Sequence, residues 1–124
     1  MSVSYQIFIK PELKIEQVKD KLENMLSVSF EEDLSYTNPE YRFEGMGLKI
    51  YLACDHGFED DEGIPFAEYP CVIIIDAFTG INMNCDLQLS FAAFLYEWII
   101  QKYKWETMLI ENTEKILRRY PPPE

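Results

Sequence analysis

Five consecutive apolar residues, Cys71-Val72-Ile73-Ile74-Ile75, constrain the fold of this chain more than any other stretch. The run is of strand length, and four of its five residues are β-branched, which a pleated strand accommodates better than a helix. Continuous apolar character, rather than alternation, marks it as the most buried strand of a sheet. The remaining segments have to supply its neighbours and its cover.

Val3, Tyr5, Ile7 and Ile9 alternate with Ser4, Gln6, Phe8 and Lys10, the period of a second strand that ends at Pro11. Ile15, Val18, Leu22, Met25 and Leu26 then recur at three- and four-residue spacing, which predicts an amphipathic helix. Val28-Ser29-Phe30 suits a short strand, whereas Glu31-Glu32-Asp33 and Asn38-Pro39 read as loop. Tyr41–Glu44 and Leu48–Cys54 flank Gly45-Met46-Gly47, either as a hairpin or as one long strand with a glycine bulge. Beyond Gly80, Leu87, Phe91, Phe94, Leu95 and Trp98 fall on one helical face, with Asn84 or Asp86 as the N-cap. Phe91, Phe94, Tyr96, Trp98, Tyr103 and Trp105 form a dense aromatic group of the kind that fills a core. A break near Lys104, a short strand over Glu106–Ile110 and a last helix capped by Asn112 complete the pattern, although residues 105–120 also admit one continuing helix. Pro121-Pro122-Pro123 ends the structured region.

The sum is an α+β fold: a single antiparallel or mixed β-sheet with two to three helices packed mainly on one face. Residues 1–124 form a single globular domain with a short Pro-rich tail over 121–124, since 124 residues suit one hydrophobic core. The start carries neither a cationic n-region nor an apolar h-region, and the apolar stretch Leu87–Ile100 is too short and too interrupted to span a bilayer. Cys54, Cys71 and Cys85 are odd in number and two lie in apolar runs, which fits reduced thiols in the cytoplasm.

Charge separates the chain into unequal parts. With 22 acidic and 11 basic side chains the net charge is -11. Residues 50–101 contain nine acids and no Lys or Arg. Such a balance repels phosphates and argues against a nucleic-acid ligand. Six carboxylates, Asp55, Glu59, Asp60, Asp61, Glu62 and Glu68, fall within fourteen residues and are interleaved with Phe58, Phe66 and Tyr69. Like charges crowded into one loop repel, and a cationic partner would relieve that repulsion and be steered toward it. The aromatics would then act as contact anchors. The alternative is a solvated turn whose aromatics fold back onto the core.

Other chemistries find little support. The alternation Asp55, Gly57, Glu59, Asp61 places its glycine too early for an EF-hand, and Phe66 stands where a closing glutamate is needed. No cofactor or metal is expected, because no Cys-x-x-Cys or phosphate-binding glycine loop occurs. His56, the single histidine, lies two residues from Cys54, so a Cys54–His56 pair oriented by Asp55 or Asp76 can be drawn. Its acidic surroundings disfavour a thiolate, and the expectation is that the protein is not an enzyme. Asp76, at a strand end, faces either solvent or a cleft.

The strand Leu48–Cys54, the loop Asp55-x-Gly57-x-Glu59-Asp60-Asp61-x-Gly63 and the apolar strand Cys71–Ile75 together resemble the small immunity proteins of bacterial polymorphic and contact-dependent toxin systems. The resemblance implies a cytoplasmic protein that binds and neutralises a cognate toxin domain, often a basic nuclease, by masking its active site. Asp55, Phe58, Glu59, Asp60, Asp61, Glu62, Phe66, Glu68 and Tyr69 are then the expected contacts, with neither nucleic acid nor membrane as partner. A nucleic-acid-mimicking inhibitor of another enzyme shares the same electrostatics.

Overall fold

The computed structural model describes residues 3–33, 40–45, 47–54, 57–60, 63–77 and 85–122. Seven strands form one sheet in the order β2-β3-β4-β5-β1-β6-β7, and every neighbouring pair is antiparallel. In chain order these are β1 (Ser4–Lys10), β2 (Glu31–Asp33), β3 (Glu40–Gly45), β4 (Leu48–Cys54), β5 (Cys71–Ala77), β6 (Glu106–Glu111) and β7 (Lys115–Tyr120). Two α-helices, α1 (Ile15–Leu26) after β1 and α2 (Cys85–Tyr103) after β5, complete the α+β fold.

The apolar run is β5, and it occupies the centre of the sheet between β4 and β1. Antiparallel pairing with alternating side chains splits the sheet into two chemically distinct faces. On one face Tyr5, Ile7, Ile9, Ile50, Leu52, Ile73, Ile75 and Leu109 pack against Val18, Leu22 and Met25 of α1 and Ala92, Leu95, Tyr96 and Ile99 of α2. On the other face Phe8, Val72, Met108 and Ile110 are covered by Ile64, Phe66 and Tyr69, which come from the segment between β4 and β5. This explains why β1 is buried on both sides from Tyr5 to Ile9 despite its alternating sequence. Phe8 sits on the side that alternation assigns to solvent, and the loop is what covers it.

Helix α1 forms as its periodicity predicts, with the Gln17 side chain accepting the Lys14 backbone N–H at its start. Ser27 ends it in the left-handed region at φ 54°. Tyr41–Cys54 resolves as the hairpin β3–β4, with Gly47 at φ 78°, where a side chain would be strained.

Several expectations fail, among them the short strand at Val28-Ser29-Phe30, which is the irregular link from α1 to β2. The acidic run Glu31-Glu32-Asp33 is edge strand β2 rather than loop, paired through Glu31↔Arg42, Glu32↔Tyr41 and Asp33↔Glu40. Its charges suit an edge that must stay unpaired on its outer side. The segment after Asn112 is strand β7, not a helix. Asn112 and Thr113 both take positive φ, 51° and 53°, and reverse the chain into a β6–β7 hairpin. That turn is tied to β1, since the Asn112 N–H donates to Ser4 O at 2.7 Å and the Thr113 N–H donates to Gln6 Oε1 at 2.8 Å.

Helix α2 also turns a different face inward. Gln88, Ala92, Leu95, Tyr96 and Ile99 are buried, whereas Phe94 is 56% exposed and Leu87 49%. Apolar side chains occur on both sides of this helix, so spacing alone does not select its buried face. Gln88 helps to select it, because its Nε2 donates to Val3 O at 2.6 Å and to Ile75 O at 2.9 Å. Those bonds fix the start of α2 over the ends of β1 and β5. Asp86 lies within the first turn of α2, and Asn84, the other cap candidate, lies outside the described residues. Of the dense aromatic group, Tyr96 is core; Phe94 stands outward and meets Trp98 edge-on at 5.2 Å.

Candidate functional site

The segment between β4 and β5 leaves the sheet at Cys54, crosses the face opposite the helices and returns at Cys71. Its apolar residues anchor it. Phe66 is 3% and Tyr69 2% exposed, and the Phe66 ring packs against Phe8 at 4.8 Å between centroids. The expectation that Phe66 and Tyr69 are surface anchors is therefore corrected. Burial against Phe8, Val72 and Met108 stabilises them more than exposure would, by about 1.5–3 kcal/mol each.

Phe58 remains as the aromatic at the surface. It is 38% exposed and leans on Phe8 and Phe66, with centroids 5.8 and 6.3 Å away. Beside it a shallow cavity of about 200 Å³ is lined by Phe58, Glu59, Phe66 and Thr113. Thr113 belongs to the β6–β7 turn, so two segments far apart in sequence meet at this recess.

The carboxylates divide by role. Asp60 Oδ1 accepts the Ala67 N–H at 3.0 Å, which braces the loop across seven residues. A single 3₁₀ turn over Phe66–Glu68 follows, closed by the Tyr69 N–H donating to Phe66 O at 3.1 Å. Glu59 and Glu68 are exposed on this braced frame. Asp55, Asp61 and Glu62, and with them His56, lie outside the described residues.

A cation that the sequence keeps sixty residues away is brought to this loop. Lys10 Nζ lies 4.8 Å from the centre of the Tyr69 ring and 2.9 Å from Glu106 Oε2. The hydrogen bond to Glu106 raises the Lys10 pKa, and Tyr69 and Glu68 add to that field. One end of the loop is thus internally neutralised.

Strand register extends the acidic surface beyond the loop. Glu40 shares a cross-sheet row with Ala53, Val72 and Phe8, and Glu44 shares one with Lys49 and Asp76. Glu40, Glu44 and Asp76 therefore project on the loop side of the sheet, where Lys49 stands between two acids. These acids are visible in the sequence one by one, but their shared facing becomes visible only with strand pairing. Asp76 is half-buried in that row.

Cys54 and Cys71 stand directly opposite each other on β4 and β5, their Cα atoms 4.0 Å apart, and are joined by a disulfide. The expectation of reduced thiols is corrected: cysteines separated by 17 residues become neighbours once the strands pair. The same bond removes Cys54 as a free nucleophile, so the Cys54–His56 arrangement has no thiolate to use. It also withdraws the cysteine argument for a cytoplasmic location, since disulfides persist in oxidising compartments. No helix among the described residues is long and apolar enough to cross a membrane. No cluster of three or more His, Cys, Asp or Glu suited to a metal occurs among them either.

No model of a known protein family matches the chain, and no curated protein matches it in sequence.

Proposed function

We propose that the protein is an inhibitor of the immunity type, which binds a basic toxin domain through the loop-covered face of its sheet. The observation that carries this reading is the braced loop itself. Phe66 and Tyr69 are buried as anchors and Asp60 is tied to Ala67, which holds Phe58 and Glu59 at the rim of an open recess. A surface ordered before binding loses less conformational freedom on association. Glu40, Glu44, Asp76 and Glu68 on the same side supply a negative field that would steer a cationic partner. Phe58 is the apolar anchor, Glu59 the adjoining charge, and the partner's Lys or Arg side chains would otherwise hold substrate phosphates.

The test begins with the protein encoded beside this one. Expressed alone it should arrest growth, and co-expression with this chain should restore growth. Glu59→Lys combined with Glu68→Lys should slow association with that protein by about tenfold or more at low salt. An association rate indifferent to both charge reversal and ionic strength would remove the loop face from the interface.

A further inference from the structure

Helix α2 is apolar on two sides, and the sheet covers only one of them. Ala92, Leu95, Tyr96 and Ile99 are buried against the strands, whereas on the side turned away Phe94 is 56% exposed and Trp98 half-buried. A helix that covers one face of a sheet ordinarily carries polar residues on its outer side, and a helix that is apolar all round is ordinarily buried all round. The outer side of α2 therefore has the composition of a contact surface.

Its shape points to what it contacts. An open cavity of about 260 Å³ on the helix surface is lined by Phe94, Glu97, Trp98 and Gln101. These four stand at i, i+3, i+4 and i+7, the set that forms the hole in knobs-into-holes packing of one helix on another. Phe94 is at once a wall of this socket and a protruding ring, so the same patch carries both the knob and the hole. A surface of that kind is complementary to itself: about a two-fold axis, each copy gives its ring and receives the other's. Phe94 and Trp98 already meet edge-on at 5.2 Å, which holds both rings in place before association.

Charge selects the same occupant. A chain of net charge -11 repels its own copies and can meet one only where acids are few or offset. Helix α2 carries Asp86, Glu97 and Lys102, and Glu97 is paired with Arg118 at 2.9 Å. Residues 102–124, which follow on from it, hold five basic and four acidic side chains. The acidic loop lies across the opposite face of the sheet, so pairing through α2 leaves the two loops at the far ends of the assembly. The size is that of a weak contact. A helix of 19 residues is about 28 Å long, and two such strips facing each other bury on the order of 1,000 Å² in total, where specific association begins.

We propose that the outer face of α2 is a homodimer interface, in which two copies of the chain pack these helices antiparallel and seat each Phe94 ring in the other copy's socket. The dimer presents its two loop-covered faces outward, one on each side. It does not depend on the function proposed above, because no residue of the loop takes part.

The test is sedimentation equilibrium of the full chain alone, from about 1 μM to about 500 μM, the range that brackets a Kd expected of so small an interface. The mass should rise from 14.7 kDa toward twice that value and stop there. Phe94→Glu should weaken association at least tenfold and leave the circular dichroism spectrum and the thermal midpoint of the monomer unchanged, since the residue is at the surface. Gln101→Leu makes the socket wall apolar and should tighten the dimer severalfold, a gain that a misfolded variant would not show. Added salt should strengthen the dimer by screening the repulsion between two acidic chains, the opposite of its effect on a cationic partner at the loop. A chain that stays monomeric at the highest concentration would overturn the proposal, as would a Phe94→Glu variant that dimerises like the parent. Association that weakens in salt would also overturn it, because that sign belongs to a contact between opposite charges, such as the basic edge β7 of one copy against the acidic edge β2 of another.

Discussion

The two faces of the sheet are covered by different means. Two helices of 12 and 19 residues cover one face, each with its own internal hydrogen bonds and a buried stripe against the strands. The other is covered by a loop holding a single 3₁₀ turn, docked through Ile64, Phe66 and Tyr69. Regular elements satisfy their own backbone and can bury a continuous stripe. An irregular cover depends on a few anchors, one carboxylate brace and a cross-link. The helix face is therefore the seat of global stability, and the loop face is the part that can change state while the fold persists.

The largest expected effect follows from that difference. Leu95 on α2 and Phe66 in the loop are buried to a similar degree, at 0% and 3% exposure. Leu95→Ala should lower global stability by about 2–5 kcal/mol, since the cavity it leaves lies between packed regular elements. Phe66→Ala removes the larger side chain, yet its global cost is capped by the free energy of docking the loop. Chemical denaturation should show the smaller loss for Phe66→Ala, and hydrogen exchange should show its loop amides released. If Phe66→Ala costs more than Leu95→Ala in denaturation, the two covers are equally integral and the comparison fails.

How far the sequence revealed these faces depended on whether the deciding contact was local. Helix α1 and strand β5 were legible because spacing and β-branched content within a dozen residues decide them. The hairpin at Gly47 was legible as one of two alternatives. Strand β7 was not, since Glu114, Lys115, Arg118 and Arg119 satisfy helix-end chemistry as well as edge-strand chemistry. What decides the matter is a left-handed turn at Asn112 and Thr113, fixed by bonds to Ser4 and Gln6 more than a hundred residues away. The loop's acids were visible, but the inward turn of Phe66 and Tyr69 was not. Phe8, on the nominally polar side of β1, was the available hint. The disulfide was hidden for a related reason: opposition of Cys54 and Cys71 is a property of strand register, which no single segment contains.

An effect of intermediate size separates the faces by pH. Burial on the helix face, reinforced by Glu97, pushes the Tyr96 hydroxyl up to about 12, and burial raises Tyr41 and Tyr103 in the same direction. An unfolded tyrosine ionises near 10, so from pH 10 upward the unfolded chain loses a proton that folded Tyr96 retains. The stability present below pH 10 is therefore lost as pH rises toward 12, at about 1.4 kcal/mol per pH unit for one such group. Denaturation midpoints at pH 9, 10 and 11 should fall accordingly, and Tyr96→Phe should flatten the slope. An unaltered slope in Tyr96→Phe would assign the alkaline sensitivity to other groups.

The smallest expected effect concerns one ion pair on each side of the molecule. Arg118 and Glu97 pair β7 with α2 at 2.9 Å, both about half exposed, and pairs of this kind contribute about 0–1 kcal/mol. Lys10 and Glu106 pair at the same distance beside the loop, but Lys10 also lies over the Tyr69 ring. A cation over an aromatic face adds about 0.5–1 kcal/mol at a partly exposed site and keeps part of that attraction when salt screens the carboxylate. Lys10→Met should therefore cost more than Arg118→Met, and the gap should persist in high salt. Lys10→Met should also loosen the loop near Tyr69, which hydrogen exchange of the Tyr69 amide reads directly. Equal costs that vanish together in salt would show that the ring contributes nothing. The loop would then depend on its apolar anchors, the Asp60 brace and the disulfide, with no help from Lys10.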